Sequence, residues 1–472
     1  MTGRGGPLRI DQLPPGEIHA VGAAGLETAS MVRYLVEGGR EDIVLHDLAD
    51  DVDAAFAAAH RFQPADHRAR SLAARRQCRD LRTGRDHLGG IERAAAVLLP
   101  VSWFLHPANA ALASMSDRWV TYPDACFDLW RGPVIGVTGS FGKTTTTCFA
   151  AELSDGVPGG NDRESFTDLA ALAAEPAGRV LTFEISNRHL RNGFRRTLDV
   201  GVLTGIALNH EPDHGSFAAY RKAKYSIAAR SHRFVYHAGI LERFPDAQAP
   251  TRGGVSYGQA GGWSLAGDLL CAPDGTGYPV PGVTRLSPLN QDDATAAAAA
   301  VLTCGVPAED VERRSLNLHA AAPRYRQSER TVADRVVVND SSSCMPASTA
   351  ALVAVLDVPF VLICGGDRQL YRAGEFGGLA SAVRGNPHAV RVCTTGPMSV
   401  HLADALHRVG FDAVSECADL VQAVRRAVDV PGAAIVLSPG CGTGALFGDK
   451  YERGDAFDHA VATMLSRRQA MS

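Results

Sequence analysis

Short apolar stretches alternate with stretches of helical periodicity along most of this chain. Near the start, an apolar run over residues 17–24 is followed by a helical pattern through Leu35 and by a second apolar run over residues 43–46. A third apolar run covers residues 95–99. Strands that alternate with helices are typical of a parallel sheet covered by helices. The beginning of the chain therefore predicts a βαβ unit.

Two features of this first unit leave a ligand contact open. The turn Gly22-Ala-Ala-Gly25 resembles a dinucleotide-type turn, but a single Gly-x-x-Gly is a weak signal for phosphate binding. The arginine-rich segment 67–85 is most simply a solvated helical face, and contact with a diphosphate is the alternative.

The strand–helix pattern occurs twice more after Arg131-Gly132-Pro133, whose Gly-Pro pair predicts a linker. The second series has predicted strands at 179–185, 200–206 and 233–237 and an alanine-rich helix at 295–303. The third has strands at 335–338, 360–364, 390–394 and 434–437 and a helix at 348–356. We therefore predict an α/β protein of three domains: a Rossmann-like N-terminal domain (1–131), a central P-loop ATPase-type parallel sheet (132–314) and a C-terminal Rossmann-like domain (315–472).

Composition narrows the classes of function. A chain of 472 residues is too long for one ordinary core, and a net charge of -4 gives no basic surface for nucleic acid or anionic membrane. The first residues contain no signal-peptide core and no apolar run approaches the ~20 residues needed to span a bilayer. The ten cysteines lack Cys-x-x-Cys spacing, which argues against structural zinc. We expect a cytoplasmic monomer whose partners are small molecules.

The most informative motif follows the strand at residues 134–138. It reads Gly139-Ser140-Phe141-Gly142-Lys143-Thr144-Thr145. Glycines let backbone N–H groups close around phosphate oxygens, the helix N-terminus adds positive potential, Lys143 supplies a charge, and the Thr144 hydroxyl can hold Mg²⁺. The motif predicts a nucleotide-phosphate site, and the simpler alternative is a glycine-rich turn.

Two further segments carry groups that suit a metal or a phosphate. Glu184 ends an apolar strand, where ligands of parallel sheets collect, and its carboxylate can bind Mg²⁺; a helix cap or a surface ion pair is the alternative. A second apolar strand leads into residues 209–214, which include Asp213 and His214, and Lys224 follows ten residues later. A polar surface turn and a solvated lysine remain the alternatives there.

The order of these motifs resembles the Mur ligases, the ATP-dependent enzymes that add amino acids to the peptidoglycan precursor. The resemblance implies ATP contacts from the phosphate loop and two Mg²⁺ sites held by Thr144, Glu184, His214 and Lys224. It also implies that Lys224 can carry a carbamate formed with CO₂, which would turn a cation into an anion able to face Mg²⁺. The catalytic residues on this basis are Lys143, Glu184, His214 and Lys224. Asn161, within Gly159-Gly160-Asn161, and Ser186 match segments that approach the substrate.

The resemblance continues into the C-terminal third. Asn290 matches a residue that meets adenine, although Leu289 and Asp293 depart from the family pattern His-Asn-x-x-Asn. Arg324 matches an arginine that contacts ATP phosphates, and Asp340 matches an aspartate that contacts ribose or phosphate. The third domain is then expected to close over ATP and to exclude water.

Residues 437–454 resemble the glutamate-adding branch of the family. At the positions that correspond to its acceptor pocket, however, this chain has Gln369 with Arg368 beside it, and Lys450 in place of an aromatic residue. Arg368, Lys450 and Thr443 are the candidates for binding the carboxylates of the acceptor. The acceptor is therefore expected to be D-glutamate, L-glutamate or another acidic amino acid.

The expected reaction is ATP-dependent addition of glutamate to UDP-N-acetylmuramoyl-L-alanine through an acyl phosphate. The N-terminal domain departs most from the family, with Leu99-Pro100-Val101 where a Ser-Pro-Gly turn is expected. Two alternatives remain: a similar ligase that acts on another carboxylate, and a non-catalytic ATP-dependent regulator or scaffold.

Overall fold

A computed structural model describes residues 8–160, 162, 165–207, 211–248, 251–367 and 373–471. Its strands form one five-stranded sheet, two six-stranded sheets and a small three-stranded sheet. The three large sheets follow one another along the chain and are covered by helices, which confirms the predicted α/β class with three domains. No helix within the described ranges is long and apolar enough to cross a membrane.

The first sheet is parallel, with strand order β3-β2-β1-β4-β5. Strands β1, β2 and β4 are buried along their whole length, which explains why their sequences are mostly apolar. The elements are β1 (Ile18–Val21), α1 (Leu26–Glu37), β2 (Ile43–Asp47), α2 (Val52–Ala59), α3 (Ala65–Gln77), β3 (Asp80–Thr83), β4 (Ala96–Leu99), β5 (Trp119–Thr121) and α4 (Tyr122–Leu129).

The arginine-rich segment differs from its prediction in its second half. Residues 65–77 form helix α3, but Asp80–Thr83 form strand β3, which pairs in parallel with β2. This strand lies at the edge of the sheet and is mostly exposed, so its sequence lacks the apolar run that identifies a buried strand.

The backbone N–H groups of the Gly22–Gly25 turn form hydrogen bonds with other residues of the chain. The backbone N–H groups of Gly22 and Ala23 donate to the carbonyl of His46, and that of Ala24 donates to the Asp47 carboxylate at 2.8 Å. These donors are therefore not free to cradle a phosphate, and the weak turn signal does not mark a phosphate site of the usual kind.

The central sheet is also parallel, with strand order β11-β10-β9-β6-β8-β7. Strand β6, which leads into the phosphate loop, lies between β8 and β9, so the loop opens at the middle of the sheet. The elements are β6 (Val134–Thr138), α5 (Lys143–Ser154), β7 (Val157–Gly159), α6 (Leu169–Ala174), β8 (Leu181–Glu184), α7 (Asn187–Asn192), β9 (Leu198–Leu203), α8 (Glu211–His214), α9 (Phe217–Tyr225), β10 (Ser231–His237), α10 (Gly239–Arg243) and β11 (Val255–Tyr257).

A small antiparallel sheet and three helices complete this unit. They are β12 (Ser264–Ala266), β13 (Leu269–Cys271), β14 (Gly277–Pro279), α11 (Pro288–Cys304), α12 (Ala308–Ser315) and α13 (Leu318–Ala321). The alanines of α11 from Ala296 to Ala300 are fully buried in the same core as Phe149 of α5. Their small side chains allow the backbone of α11 to approach its neighbours closely, which fixes the helix that carries Lys143.

The third sheet has order β15-β16-β20-β17-β18-β19 and is parallel except for the edge strand β15. Its elements are β15 (Ser328–Val332), β16 (Arg335–Asn339), α14 (Pro346–Val355), β17 (Phe360–Gly365), α15 (Gly377–Gly385), β18 (Ala389–Thr395), α16 (Ser399–Arg408), β19 (Val414–Cys417), α17 (Leu420–Val428), β20 (Ala434–Leu437) and α18 (Lys450–Met471). Two cores cover its two faces, as expected for a sheet wound by helices on both sides.

Buried polar contacts join the N-terminal domain to the central one. The guanidinium of Arg33 in α1 pairs with the carboxylate of Asp168 at the start of α6, and both side chains are less than one tenth exposed. Ser30 also contacts Asp168, and the hydroxyl of Tyr122 donates to the carbonyl of Thr167 at 2.5 Å. Separating the two domains would break this shielded ion pair and these hydrogen bonds together, so the contacts favour a fixed arrangement of the two domains.

Buried histidines make the N-terminal domain sensitive to acid. Burial lowers the pKa of His46 and of His60 to about 4 in the folded chain, against an ordinary value of 6.5. Between these values the unfolded chain binds protons that the folded chain does not, so stability falls as the pH falls from about 6.5 to 4.

We expect each histidine to lower the free energy of unfolding by about 2 kcal/mol at pH 5 relative to pH 7.5. The ring of His60 stacks on Phe56 with centroids 3.9 Å apart, so His60→Phe keeps an aromatic ring in place. Measured by thermal unfolding, this variant should lose less stability between pH 7.5 and pH 5 than the original chain does. The same change at the exposed His401 should leave the acid loss unaltered, and an equal loss in both variants would contradict the assignment.

Candidate active site

The phosphate loop has a backbone that only glycine fits at two positions. Gly142 has φ of 78°, in the left-handed region, and a Cβ there would collide with the carboxylate of Asp293. A Cβ at Gly139 would collide with the hydroxyl of Thr204. Ser140 braces the loop, because its Oγ accepts from the N–H of Ala207 at 2.8 Å and lies 2.9 Å from the hydroxyl of Tyr220. The loop is thus held in shape by β9 and its following residues.

Thr144 and Glu184 meet at the end of β6 and β8. The Thr144 hydroxyl donates to Glu184 Oε2 at 2.7 Å, and both residues are buried. Strand register brings them together, since Glu184 pairs with Val137 at the carboxyl end of β6. The hydroxyl of Thr144 also accepts from Arg326 Nη2 at 2.8 Å. An arginine from the loop before β15 therefore reaches directly into the phosphate loop.

The charged side chains around the phosphate loop form a cluster that carries more positive than negative charge. Burial lowers the pKa of Lys143, and the cationic Arg326 and Lys450 act in the same direction, while Glu184 and Asp162 oppose it. Cations that are held close together without matching anions destabilise one another, and the negative oxygens of a bound triphosphate would relieve that repulsion. The charge distribution therefore suits a polyanionic ligand.

Lys224 is a buried amine next to this cluster. Its side chain is almost inaccessible, and its Nζ donates to the hydroxyl of Thr138 at 2.9 Å. Burial lowers the pKa of Lys224 well below its usual value, and repulsion from Lys143 adds to the effect. A neutral amine is a nucleophile and an ammonium is not, so the environment favours the form of Lys224 that can react with CO₂.

His214 lies at the end of α8, in surroundings that favour its neutral form. The side-chain amide of Asn187 donates to its Nε2 at 3.1 Å, and its ring meets that of Tyr220 edge-on. Burial lowers the pKa of His214, and Arg191 adds to the effect. Asp213, beside it, is engaged by Arg188 at 3.0 Å. A neutral imidazole is the form that binds metal ions. Asn209, the first residue of this motif, lies outside the described residues.

Two side chains of α11, Asn290 and Asp293, lie near the phosphate loop. Asn290 is buried, its amide donates to the carbonyl of Arg326 at 3.5 Å, and its Oδ1 has no partner within the described part of the chain. A buried acceptor without a partner suits an amino group of a ligand, such as that of adenine. The carboxyl of Asp293 receives hydrogen bonds from Thr145 and Thr146, and burial raises its pKa well above the ordinary value.

The structure places two arginines of the loop before β15, separated by one residue, in different surroundings. Arg324 lies half in solvent, 2.8 Å from the carboxylate of Asp455, whereas Arg326 contacts Thr144. The residue that the sequence analysis missed in the phosphate site is thus Arg326. Two arginines separated by one residue in a loop point in different directions, and the sequence alone does not indicate which one faces inward.

Asp340 ties the end of β16 to its surroundings. Its carboxylate accepts from the Ser438 hydroxyl at 2.8 Å and from the backbone N–H of Gln327 at 3.2 Å. Burial raises the pKa of Asp340 to about 6. These bonds fix the loop that carries Arg326, so in this structure Asp340 supports the site from behind.

The residues predicted to bind the substrate are spread more widely. Ser186 caps α7, since its hydroxyl accepts from the N–H of His189 at 3.1 Å. Thr443 is half-buried in the loop before α18, beside a backbone pairing of Asp367 with Gly442. Lys450 Nζ lies 2.6 Å from the carboxylate of Asp162. Three further candidates lie outside the described residues: Asn161, Arg368 and Gln369.

The donor set fits one magnesium ion of the kind that nucleotides carry. The Thr144 hydroxyl and the Glu184 carboxylate already touch, so both oxygens can reach the same small cation. Among the described residues, histidine, cysteine, aspartate and glutamate form no group of three or more that could hold a metal ion on its own. Phosphate oxygens of a ligand would therefore complete the coordination, as is usual for Mg²⁺ at phosphate sites.

Comparison with known proteins identifies the family. No protein-family model matches the chain. A UDP-N-acetylmuramoylalanine–D-glutamate ligase of Roseiflexus is 30% identical over 395 residues, which cover 77% of this chain and 82% of the relative.

Two solved structures share the fold. The UDP-N-acetylmuramate–alanine ligase MurC of Thermotoga maritima superposes with a TM-score of 0.59 at 15% identity, over 97% of this chain and 100% of that one. The MurF ligase of the same organism, in complex with ADP, superposes with a TM-score of 0.53 at 16% identity, over 80% of this chain and 91% of that one. With a relative of this identity and coverage, the chain belongs to the Mur ligases, a family of ATP-dependent amide ligases.

Proposed function

We propose that this protein adds glutamate to the carboxylate of UDP-N-acetylmuramoyl-L-alanine at the expense of ATP. The observation that carries the proposal is the contact of Thr144 with Glu184 and Arg326 beside Lys143, in a chain whose relatives are named for this reaction. These residues form a compact cationic site for a triphosphate at the centre of the sheet.

In the first half of the reaction, the γ-phosphoryl group of ATP passes to the carboxylate of the UDP substrate and ADP is released. The product is an acyl phosphate. Transfer of a phosphoryl group depends mainly on positioning and on neutralising charge. Lys143 at the N-terminus of α5 and Arg326 from the C-terminal side supply fixed positive charge around the phosphate oxygens.

In the second half, the amine of glutamate attacks the acyl carbon, an amide forms and phosphate leaves. This chain's part is to bring the two substrates together and to exclude water that would hydrolyse the acyl phosphate. Contacts between the C-terminal domain and the phosphate loop, beginning with Arg326, provide the means.

Thr144 and Glu184 would hold one Mg²⁺, which supplies charge neutralisation for the phosphate oxygens when bound. We further propose that His214 and a carbamate on Lys224 would hold a second. What supports the carbamate is the burial of Lys224 and the depression of its pKa. As an ammonium it would face a cation, whereas the carbamate carries a negative charge.

A second candidate is a ligase of the same chemistry that acts on a different carboxylate. The N-terminal domain gives a reason to consider it. The N–H groups of the Gly22–Gly25 turn are taken by His46 and Asp47, and the N–H of Val101 after β4 donates to the carboxylate of Glu27 at 2.6 Å. Two places where a nucleotide sugar could accept backbone hydrogen bonds are thus occupied by the chain itself.

Phosphate release should decide between these functions. The protein would be assayed with ATP, Mg²⁺ and a panel of substrate pairs. One member of each pair is UDP-N-acetylmuramoyl-L-alanine, its analogue without UDP or its analogue without alanine. The other member is D-glutamate, L-glutamate, D-aspartate or L-aspartate. We expect release only when UDP-N-acetylmuramoyl-L-alanine and one glutamate enantiomer are both present. Release with the analogue that lacks UDP would favour the second candidate, and release that depends on neither substrate would contradict both.

A further inference from the structure

The first residues of α18 and the turn before it are contacted by both other domains. We call residues 448–451 the closure segment. Arg61 of the N-terminal domain donates to the carbonyl of Gly448, and it lies 3.8 Å from the carboxylate of Asp449. The ring of Phe62 lies 6.5 Å from that of Tyr451.

Asp162 of the central domain is the main polar partner of this segment. One of its carboxylate oxygens lies 2.6 Å from Lys450 Nζ, and the other accepts from the Tyr451 hydroxyl at 2.9 Å. The side chains of Asp162 and Lys450 are 17% and 20% exposed, so the pair is partly shielded from water. Such a pair is stronger than an ion pair on an open surface.

The same carboxylate is connected to the phosphate site. Arg326 Nη2 lies 3.7 Å from Asp162 Oδ2 and 2.8 Å from the hydroxyl of Thr144. A continuous set of polar contacts therefore runs from the phosphate loop through Arg326 and Asp162 to the start of α18. Asp162 also follows directly after the Gly159-Gly160-Asn161 segment that was predicted to approach the substrate.

We propose that Asp162 is a positioning residue, which holds the closure segment against the phosphate site through Lys450 and Tyr451. This inference rests on the proposed function for its effect on the reaction. In this arrangement Lys450 serves the contact between domains and does not bind the carboxylates of the incoming amino acid. This role is an alternative to the prediction that Lys450 is a substrate contact in the acceptor pocket, and the experiment below distinguishes the two.

The charges around Asp162 favour this role. Burial opposes its ionisation, but Lys450 and Arg326 together hold the pKa of Asp162 well below its usual range. The carboxylate therefore remains charged throughout the neutral range, and the contact does not depend on a titration near pH 7. Without Asp162, the cations Arg326 and Lys450 would face each other across the domain boundary.

The test compares Asp162→Asn, Lys450→Met and the double variant. Both single changes remove one charge while keeping side-chain size. We expect each to lower kcat/KM for glutamate by about 10- to 100-fold, because the acceptor is no longer held in line with the acyl group. We expect kcat/KM of the double variant to be no lower than that of the less active single variant, since both changes break the same contact. Asp246→Asn, which breaks an exposed pair with Arg221, is the matched control and should leave kcat/KM unchanged.

If Lys450 bound glutamate directly, its replacement would raise KM far more than that of Asp162, and the two losses would multiply. Either result would overturn the proposal. Small-angle scattering of the full chain with magnesium ATP gives a readout that does not need turnover. We expect both single variants to show the same increase in radius of gyration over the original chain.

An unchanged radius of gyration in Asp162→Asn would overturn the role of the contact. An original chain that is compact in scattering but inactive on the whole substrate panel would instead overturn the proposed function, while leaving the contact supported.

Discussion

Lys143→Ala is expected to abolish glutamate-dependent release of phosphate, with a loss of at least about 10³-fold in turnover. Lys143 begins α5 next to the contact of Thr144 with Glu184, and with Arg326 it supplies the fixed positive charge of the loop. The change removes that charge where negative charge accumulates during phosphoryl transfer. Because the folded chain holds Lys143 among other cations, its loss should not destabilise the fold.

The measurement is phosphate release under saturating substrates, together with thermal unfolding to confirm that the variant is folded. Lys222→Ala provides the control, because Lys222 is exposed on α9 and lies two residues from Lys224. Near-normal turnover in Lys143→Ala would show that the loop does not hold the triphosphate in the way proposed.

Lys224→Ala is expected to reduce turnover by about 10²- to 10³-fold, and turnover of the original chain is expected to depend on CO₂. The amine of Lys224 is buried and its pKa is well below the usual value, which keeps it in the form that reacts with CO₂. Removal of dissolved CO₂ and bicarbonate should slow the original chain, and added bicarbonate should restore it.

Carbon-13 NMR after addition of labelled bicarbonate should show a carbamate signal in the original chain and none in Lys224→Arg, whose guanidinium does not react with CO₂. Turnover that is insensitive to bicarbonate, together with an absent signal, would mean that Lys224 acts as an unmodified amine bonded to Thr138.

Local sequence signals were sufficient to predict which residues lie together around the loop after β6. The strand at residues 134–138 and the glycine turn after it can be recognised from consecutive residues, although the side chains that exclude a Cβ at Gly139 and Gly142 are Thr204 and Asp293, which lie far along the chain. Glu184 could be placed near the loop because it ends a strand of the same parallel sheet. Both inferences need only the rule that ligands collect at the carboxyl ends of parallel strands.

Residues whose role depends on contacts between domains were harder to predict. Arg326 reaches Thr144, and Lys450 reaches Asp162, only because two domains meet there. No periodicity within either unit carries that information. Strand β3 was missed for a related reason, since an exposed edge strand is identified by its partner β2 and not by its own apolar residues.

We expect the contacts between the three domains to differ in how readily they open. Separating the N-terminal and central domains would break the shielded ion pair of Arg33 with Asp168 and the hydrogen bonds of Ser30 and Tyr122 at the same time. The contact between the C-terminal domain and the other two is formed by side chains that are partly exposed to water, such as Lys450 and Arg61. We therefore expect the C-terminal domain to move relative to the other two, while the distance between the N-terminal and central domains stays constant.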